Sequence, residues 1–504
     1  MALSSPSPLD KASSRGRGRG ATLILGILLA AVFLGSLDQT VVVTALPAVI
    51  DDLQIPFTRL NDAAWIVTAY LLGYTVAMPL IGRMSDAFGR QRVMLACLAL
   101  LGVTSLACGA ARSLEWLIVA RGLQAIGGGA LLPVTLAVVG DLFPIERRSV
   151  LLGTVAGAAE AGGVLGPLWG AAVLDHLKWP WVFYFNVPLV AVLLLALSRW
   201  PAPGKTSSEQ PKVDYVGGAL LGAGLGLMAL GLSRETSQGG ALIRVLLGAA
   251  AAIALAVFVW HERRAAVPLI EPRLFAHRAF AAGNVLSLLS GVALIVAMVD
   301  VPLYAATVLQ RSPVEGGLLL MRLMVGIPIG AVAGGWVTRR IGPAVTGAAG
   351  MAACAVGLAF LARWRPDTSM EEMTAGLLVA GLGFGLQLAP ITSVVVGQAG
   401  VARAGVAAAL VTVMRMIGML VGVATLTSWG LERFNGLVAD LPLPLPALGE
   451  SAEVSQQRLE AYQRVVLDAS LTVFGEIFTA AAVVCVVALV PAALLRLQRQ
   501  PAYR

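Results

Sequence analysis

Charge is what this 504-residue chain has least of: Asp, Glu, Lys and Arg together make up 13% of it, with three histidines and four cysteines. A soluble chain of this length needs a charged surface and would be expected to divide into several domains. Here 58% of residues are hydrophobic and mean hydropathy is +0.84, so the surrounding solvent is lipid. Cys97, Cys108, Cys354 and Cys485 each lie inside an apolar stretch, none at metal-ligand spacing, which excludes a disulfide scaffold and a zinc site and leaves packing. His176, His261 and His277 fall in loops, so histidine cannot carry protons within the membrane. Gly204-Lys205-Thr206 lacks the earlier glycine of a phosphate-binding loop, since Arg199 stands there, and His261-Glu262 meets Ala265 where a zinc helix repeats histidine. Neither an ATP-driven pump nor a membrane enzyme is supported, and no cofactor or metal is expected. The net charge of +8 is spread over many short loops, which argues against a nucleic-acid partner.

What the chain has instead is apolar length. A helix needs about 20 mostly apolar residues to cross the hydrocarbon. Fourteen such stretches are expected, near 22–48, 63–82, 93–111, 115–140, 149–174, 182–199, 215–234, 242–260, 279–308, 315–337, 344–362, 374–398, 405–431 and 470–495. The first is too long for the core of a cleavable signal peptide. An even number of crossings puts both termini on one side. The termini and alternate loops, with 261–278 the clearest, hold most of the Lys and Arg, which makes that side cytoplasmic. All ten tryptophans fall close to an expected span end, as interfacial belts require.

The spans divide as six, two and six. Residues 1–20, rich in Ser, Gly and Arg, are expected to be a disordered cytoplasmic tail. Residues 21–200 form an N-terminal six-helix bundle, 201–278 a linker with two inserted helices, and 279–504 a C-terminal bundle with an external extension at 433–469. Within that extension, 451–469 has an amphipathic helical pattern. Gly334 to Gly342 follows the second span of the last bundle much as Gly82 to Arg92 follows the second span of the first. Such repeats build many transporters, with the substrate site near midplane between the halves.

An ionisable side chain inside a span costs several kcal/mol unless paired or hydrated, and so marks function. Span 1 carries Asp38, span 4 Arg121, span 5 Glu160, span 9 Asp300, span 10 Arg322, span 13 Arg415 and span 14 Glu476. At about 1.5 Å per residue, Asp38 and Arg121 can share a level, and Glu160 and Arg415 fall near the midplane in opposite halves, where they can pair. Burial raises an acid's pKa and a nearby arginine lowers it, so Asp38 with Arg121 as its tuner suits proton coupling. Asp300, Arg322 and Glu476, all toward outer ends, are expected to form an outer latch. The turn holding Gly82, Asp86, Gly89 and Arg90 is expected to act as a cytoplasmic gate, its glycines allowing a tight reversal. Span 5 places Gly153, Gly157, Gly162, Gly166 and Gly170 at close-approach spacing, with a hinge expected at Gly166-Pro167.

These motifs resemble the major facilitator superfamily, and over nearly the whole chain its 14-span drug and proton antiporter branch. Gly82, Asp86, Gly89 and Arg90 resemble its loop between helices 2 and 3, and Leu37-Asp38-Gln39-Thr40 its span 1 signature. Arg121-Gly122-Leu123-Gln124 resembles its span 4 signature, Gly166-Pro167-Leu168-Trp169-Gly170 that of span 5, and Phe185-Asn186-Val187-Pro188 the start of span 6. Val43 departs from the pattern, where the branch has asparagine, and implies a more apolar cavity. Trp65 to Tyr74, Val299-Asp300-Val301, Arg415 to Val423 and Gly475 to Thr479 are similar to mycobacterial lipid exporters that carry triacylglyceride with a periplasmic lipoprotein. The resemblance implies roles in transport for Asp38, Glu160 and Arg415. It also implies a monomeric, proton-coupled exporter of a lipid or other hydrophobic compound in the bacterial inner membrane, partnered by membrane lipids and a lipoprotein. The alternatives are a multidrug antiporter for amphipathic cations and a passive lipid scramblase.

Overall fold

The computed structural model describes residues 8–56, 59–143, 145–199, 213–232, 240–266, 268–399, 404–439, 441 and 452–495. Among them every long element is an α-helix, and thirteen helices are long and apolar enough to cross a membrane. The 32-residue helix Ile145–His176, lying along the first, makes the fourteenth. In chain order spans 1 to 6 are Ala21–Asp52, Trp65–Phe88, Arg90–Gly109, Leu114–Leu142, Ile145–His176 and Pro180–Arg199. Spans 7 and 8 are Tyr215–Leu232 and Leu242–Glu262. Spans 9 to 14 are Arg278–Thr307, Val314–Ile341, Pro343–Leu361, Met370–Ala399, Val406–Val438 and Glu453–Ala493.

The two ends of the chain differ most from the expectation. The helix of span 1 begins at Pro8, so residues 8–20, expected as a disordered tail, continue it. Extending a formed helix costs little, because each added residue gains a hydrogen bond without a new nucleus. At the other end the amphipathic segment is no separate element: Ala452–Val487 is one helix of 36 residues, about 54 Å long against a hydrocarbon thickness of about 30 Å. Its outer part therefore extends beyond the hydrocarbon, and within the span it packs on span 13, with Gly430 against Ile477 and Arg433 Nε donating to Glu476 Oε2 at 3.1 Å. Residues 442–451 lie outside the described chain.

Glycine sets how closely the helices pack. An added Cβ at Gly162, Gly166 or Gly170 would overlap span 1 at Phe33 O, Thr40 Oγ1 and Thr44 Oγ1, whereas Gly153 and Gly157 face open space. Span 5 is thus clamped to span 1 along its outer half only. Helix Ile145–His176 runs through Pro167 unbroken, so the expected hinge is not a break. Proline cannot donate to the carbonyl four residues back. That carbonyl, Gly163 O, accepts a hydrogen bond from Thr40 Oγ1 at 3.0 Å instead. Thr40→Val should strand this carbonyl and cost about 1–3 kcal/mol, read as a lower thermal-unfolding midpoint in detergent; an unchanged midpoint would contradict the pairing.

Spans 7 and 8 pack on each other, and span 7 lies along span 2, with Gly218 against Leu80 and Gly222 against Val76. Asp214 caps span 7 by accepting from Gly217 N at 2.8 Å, and its carboxylate also meets His261 Nε2 at 2.9 Å.

Candidate functional site

Asp38 and Arg121 meet inside the N-terminal helices, both with fully buried side chains, Arg121 Nη1 standing 3.1 Å from Asp38 Oδ2. The other carboxylate oxygen accepts from Asn186 Nδ2 at 2.6 Å and from Gln124 Nε2 at 3.0 Å. Ser105 Oγ accepts from the same Gln124 amide at 2.8 Å, and Gln124 Oε1 in turn accepts from Arg121 Nη1 at 2.7 Å. The Tyr70 ring lies 3.9 Å from the guanidinium carbon, a cation–π contact. Five spans thus hold one carboxylate and one arginine in a polar knot that is satisfied almost throughout. Arg121 Nε is the exception, a buried donor without a partner among the described residues.

Arg121 also borders a cavity of about 10 Å³ in the seam between the two sets of helices. Gln39 and Val43 of span 1, Tyr70 of span 2, and Ile295, Met298 and Met419 of spans 9 and 13 complete much of its wall. That is close to the smallest volume that holds one water. Val43, the departure from the family pattern, supplies an apolar wall where the branch has an amide. Gln39 Nε2 donates across the seam to Met416 Sδ at 3.2 Å.

The second ion pair bridges the halves: Arg415 Nη2 of span 13 stands 2.9 Å from Glu160 Oε1 of span 5, their side chains 17% and 31% exposed. Arg415 belongs to a helix clamped by glycine, for a Cβ at Gly291 would overlap Arg415 O and one at Gly418 would overlap Leu288 O. Its backbone is therefore held while its side chain reaches across.

On the cytoplasmic side Arg90 pairs with Asp86, and its Nε donates to Asp141 Oδ2 at 2.9 Å. Only one of the two turn glycines makes the reversal. Gly89 has φ 96°, where L side chains are strained, whereas Gly82 lies within helix Trp65–Phe88. Gly342 repeats the device with φ 86° after span 10. Arg83 Nη2 donates to Pro268 O at 3.1 Å, tying this loop to the linker after span 8. Glu262 Oε2 shapes that linker by accepting from Ile270 N at 2.8 Å.

The expected outer latch is not formed. Asp300 is buried, its Oδ2 without a partner among the described residues; Arg322 Nη1 lies 2.6 Å from Met370 Sδ; and Glu476 pairs with Arg433. Outer position alone cannot bring side chains together, because each of the three helices turns its charge toward a different neighbour. The outer ends are closed by packing instead. Gly317 of span 10 is so near span 5 that an added Cβ would lie 2.7 Å from Ala171 Cβ and 3.1 Å from Pro167 O. A Gly317→Cys, Ala171→Cys pair should therefore cross-link on oxidation after a slight separation, stop transport, and regain it under reductant. Free transport through the oxidised protein would contradict a closure that must open.

Gln124, Asn186, Ser105 and Tyr70 are partners that charge-based reading passed over. Gln124 lies three residues after Arg121 on one helix face, a spacing that could have named it. Ser105 carries no such mark.

Residues 28–423 match the sequence profile of the Major Facilitator Superfamily. A triacylglyceride transporter of Mycobacterium tuberculosis is 38% identical over 490 residues, which covers 93% of this chain and 93% of that one. A triacylglyceride transporter of Mycolicibacterium smegmatis is 37% identical over 494 residues, covering 94% of this chain and 87% of that one. Among solved structures, a bacterial homolog of the human lysosomal transporter Spinster, in an inward-facing and unoccupied conformation, superposes with a TM-score of 0.65. It shares 17% identity over 95% of this chain and 99% of that one, a likeness of fold alone.

Proposed function

Because the chain belongs to the Major Facilitator Superfamily, we propose that it is a proton-coupled exporter that moves a lipid of the triacylglyceride type, or another hydrophobic compound, outward by alternating access. The observation that carries this reading is the Asp38–Arg121 pair, fully buried yet beside a water-sized cavity in the seam between the halves. A charge kept dry must be paired to remain a charge, so a proton reaching Asp38 frees Arg121 from its counter-ion. The freed guanidinium already has one unpaired donor, and water entering the seam then favours parting the halves. Proton arrival and opening become one event.

Glu160 and Arg415 serve this scheme as the tie between halves, made and broken as the seam closes and opens. Asp86 and Arg90, with Gly82 and Gly89, serve as the cytoplasmic gate, and Gly166-Pro167 as the hinge of span 5. The cargo follows from two supports: relatives named as triacylglyceride transporters, and a seam walled by Val43, Ile295, Met298 and Met419. Two six-helix bundles joined by a two-helix linker, both termini in the cytoplasm, a place in the inner membrane, operation as a monomer and delivery to a lipoprotein complete the proposal. No bound cofactor enters it; the proton gradient supplies the energy.

Purified protein in vesicles with an imposed proton gradient, given labelled triacylglyceride and a cationic dye side by side, tests the cargo. Gradient-dependent movement of the triacylglyceride is expected. Movement of the dye alone would replace the lipid by a drug-like cation, and movement indifferent to the gradient would make the protein a passive scramblase.

A further inference from the structure

Arg322 stands where an arginine is expensive. Leu318, Val325, Ile329, Val332 and Trp336 of span 10 are all large apolar side chains with 37% or more of their surface exposed. With Arg322 they recur at the three- and four-residue steps of one helix face. The neighbouring face, through Gly326, Gly330 and Gly334, is pressed against span 12. Arg322 therefore lies, half-buried, at the edge of the stripe that meets the acyl chains, where it borders span 12, about 12 Å along the axis from the outer end of span 10. No carboxylate answers it among the described residues; its contact is the sulfur of Met370, at 2.6 Å, a weak acceptor for one of five guanidinium donors.

That contact also gives the depth of the charge. Met370 is the first residue of span 12, capped by Ser369, so the guanidinium has been carried up its own stem toward the outer end of that span, where headgroups lie. Beside it Met370, Glu371, Thr374, Ala375 and Leu378, all on one face of span 12, line a shallow, open groove that shares Met370 with the Arg322 contact. Glu371 stands at its outer rim.

We propose that this groove, with Arg322 at its head, is a binding site for an outer-leaflet glycerophospholipid. The phosphate accepts from the Arg322 guanidinium, an acyl chain lies along Ala375 and Leu378, and Glu371 receives an ammonium group carried farther out on the head. Charge complementarity identifies the occupant: a phosphate at this depth gives the arginine the oxygens that Met370 does not. The site is separate from the transport route in the seam and stands whether or not the cargo is a lipid.

The test is native mass spectrometry of the delipidated full-length protein titrated with phosphatidylethanolamine, and with diacylglycerol of the same chains. Phosphatidylethanolamine should bind, diacylglycerol at least tenfold more weakly. Arg322→Leu, which removes the charge, and Ala375→Trp, which fills the groove, should each weaken phosphatidylethanolamine binding by tenfold or more, while Arg322→Lys keeps most of it. Equal binding of the two lipids by the unaltered protein, or binding undiminished in both Arg322→Leu and Ala375→Trp, overturns the proposal.

Discussion

Asp38→Asn is expected to abolish gradient-driven export while the protein still folds. The amide has the carboxylate's shape, so its oxygen can still accept from Asn186 and Gln124, which stand 2.6 Å and 3.0 Å from Oδ1 in the wild type. What it cannot do is neutralise Arg121, or exchange a proton with the seam. Breaking one side of a buried pair typically costs about 3–5 kcal/mol, so the variant should unfold at lower temperature than the wild type. Adding Arg121→Gln to it removes the stranded charge and should restore most of the lost stability. Gradient-driven export should stay absent in the double variant, because stability and proton exchange are separate duties of one carboxylate. If stability and transport returned together, Asp38 would be only a structural partner.

Glu160→Gln should have the second-largest effect, and of a different kind. Its partner Arg415 is 17% exposed and its own side chain 31% exposed, so losing the pair should cost less stability than losing the fully buried Asp38 pair. Export should nevertheless fall at least tenfold, since the tie holds spans 5 and 13 at the one level where the halves must recognise each other. Arg415→Gln should match it, and the double variant should be no worse than either single one. Additive losses would place the two residues in independent duties and sink the assignment. Transport rates in vesicles, set beside thermal midpoints of the same preparations, decide the matter.

The spans were legible in the sequence because lipid makes a one-dimensional demand: apolar length, interrupted by charge. Most ends agree to within a few residues, and those that differ lie outside the bilayer, where that demand lapses. Span 13 thus runs on to Val438, and the last helix starts at Ala452. Internal irregularities left less trace. Span 13 takes a π turn over Val423–Thr427, and span 12 is interrupted at Gln387, a fully buried amide bonded to Ser290. Nothing in local composition announces either, because each answers a neighbouring helix.

The candidate site was legible for a related reason. A charge within a span is rare, and depth can be counted, so Asp38 with Arg121, and Glu160 with Arg415, are found from helix numbering alone. Counting depth does not give rotation about the helix axis. Asp300, Arg322 and Glu476 share a region of the membrane and yet face three ways. The neutral partners of Asp38 are hidden by their chemistry: Ser105 and Asn186 are ordinary in a helix until a carboxylate needs them.

The most direct measurement compares two modes of transport in the same vesicles, for wild type and Asp38→Asn: net export driven by an imposed proton gradient, and exchange of labelled for unlabelled cargo with no gradient. Wild type should show both, and Asp38→Asn should keep exchange while losing driven export. Driven export by Asp38→Asn at the wild-type rate would contradict the account.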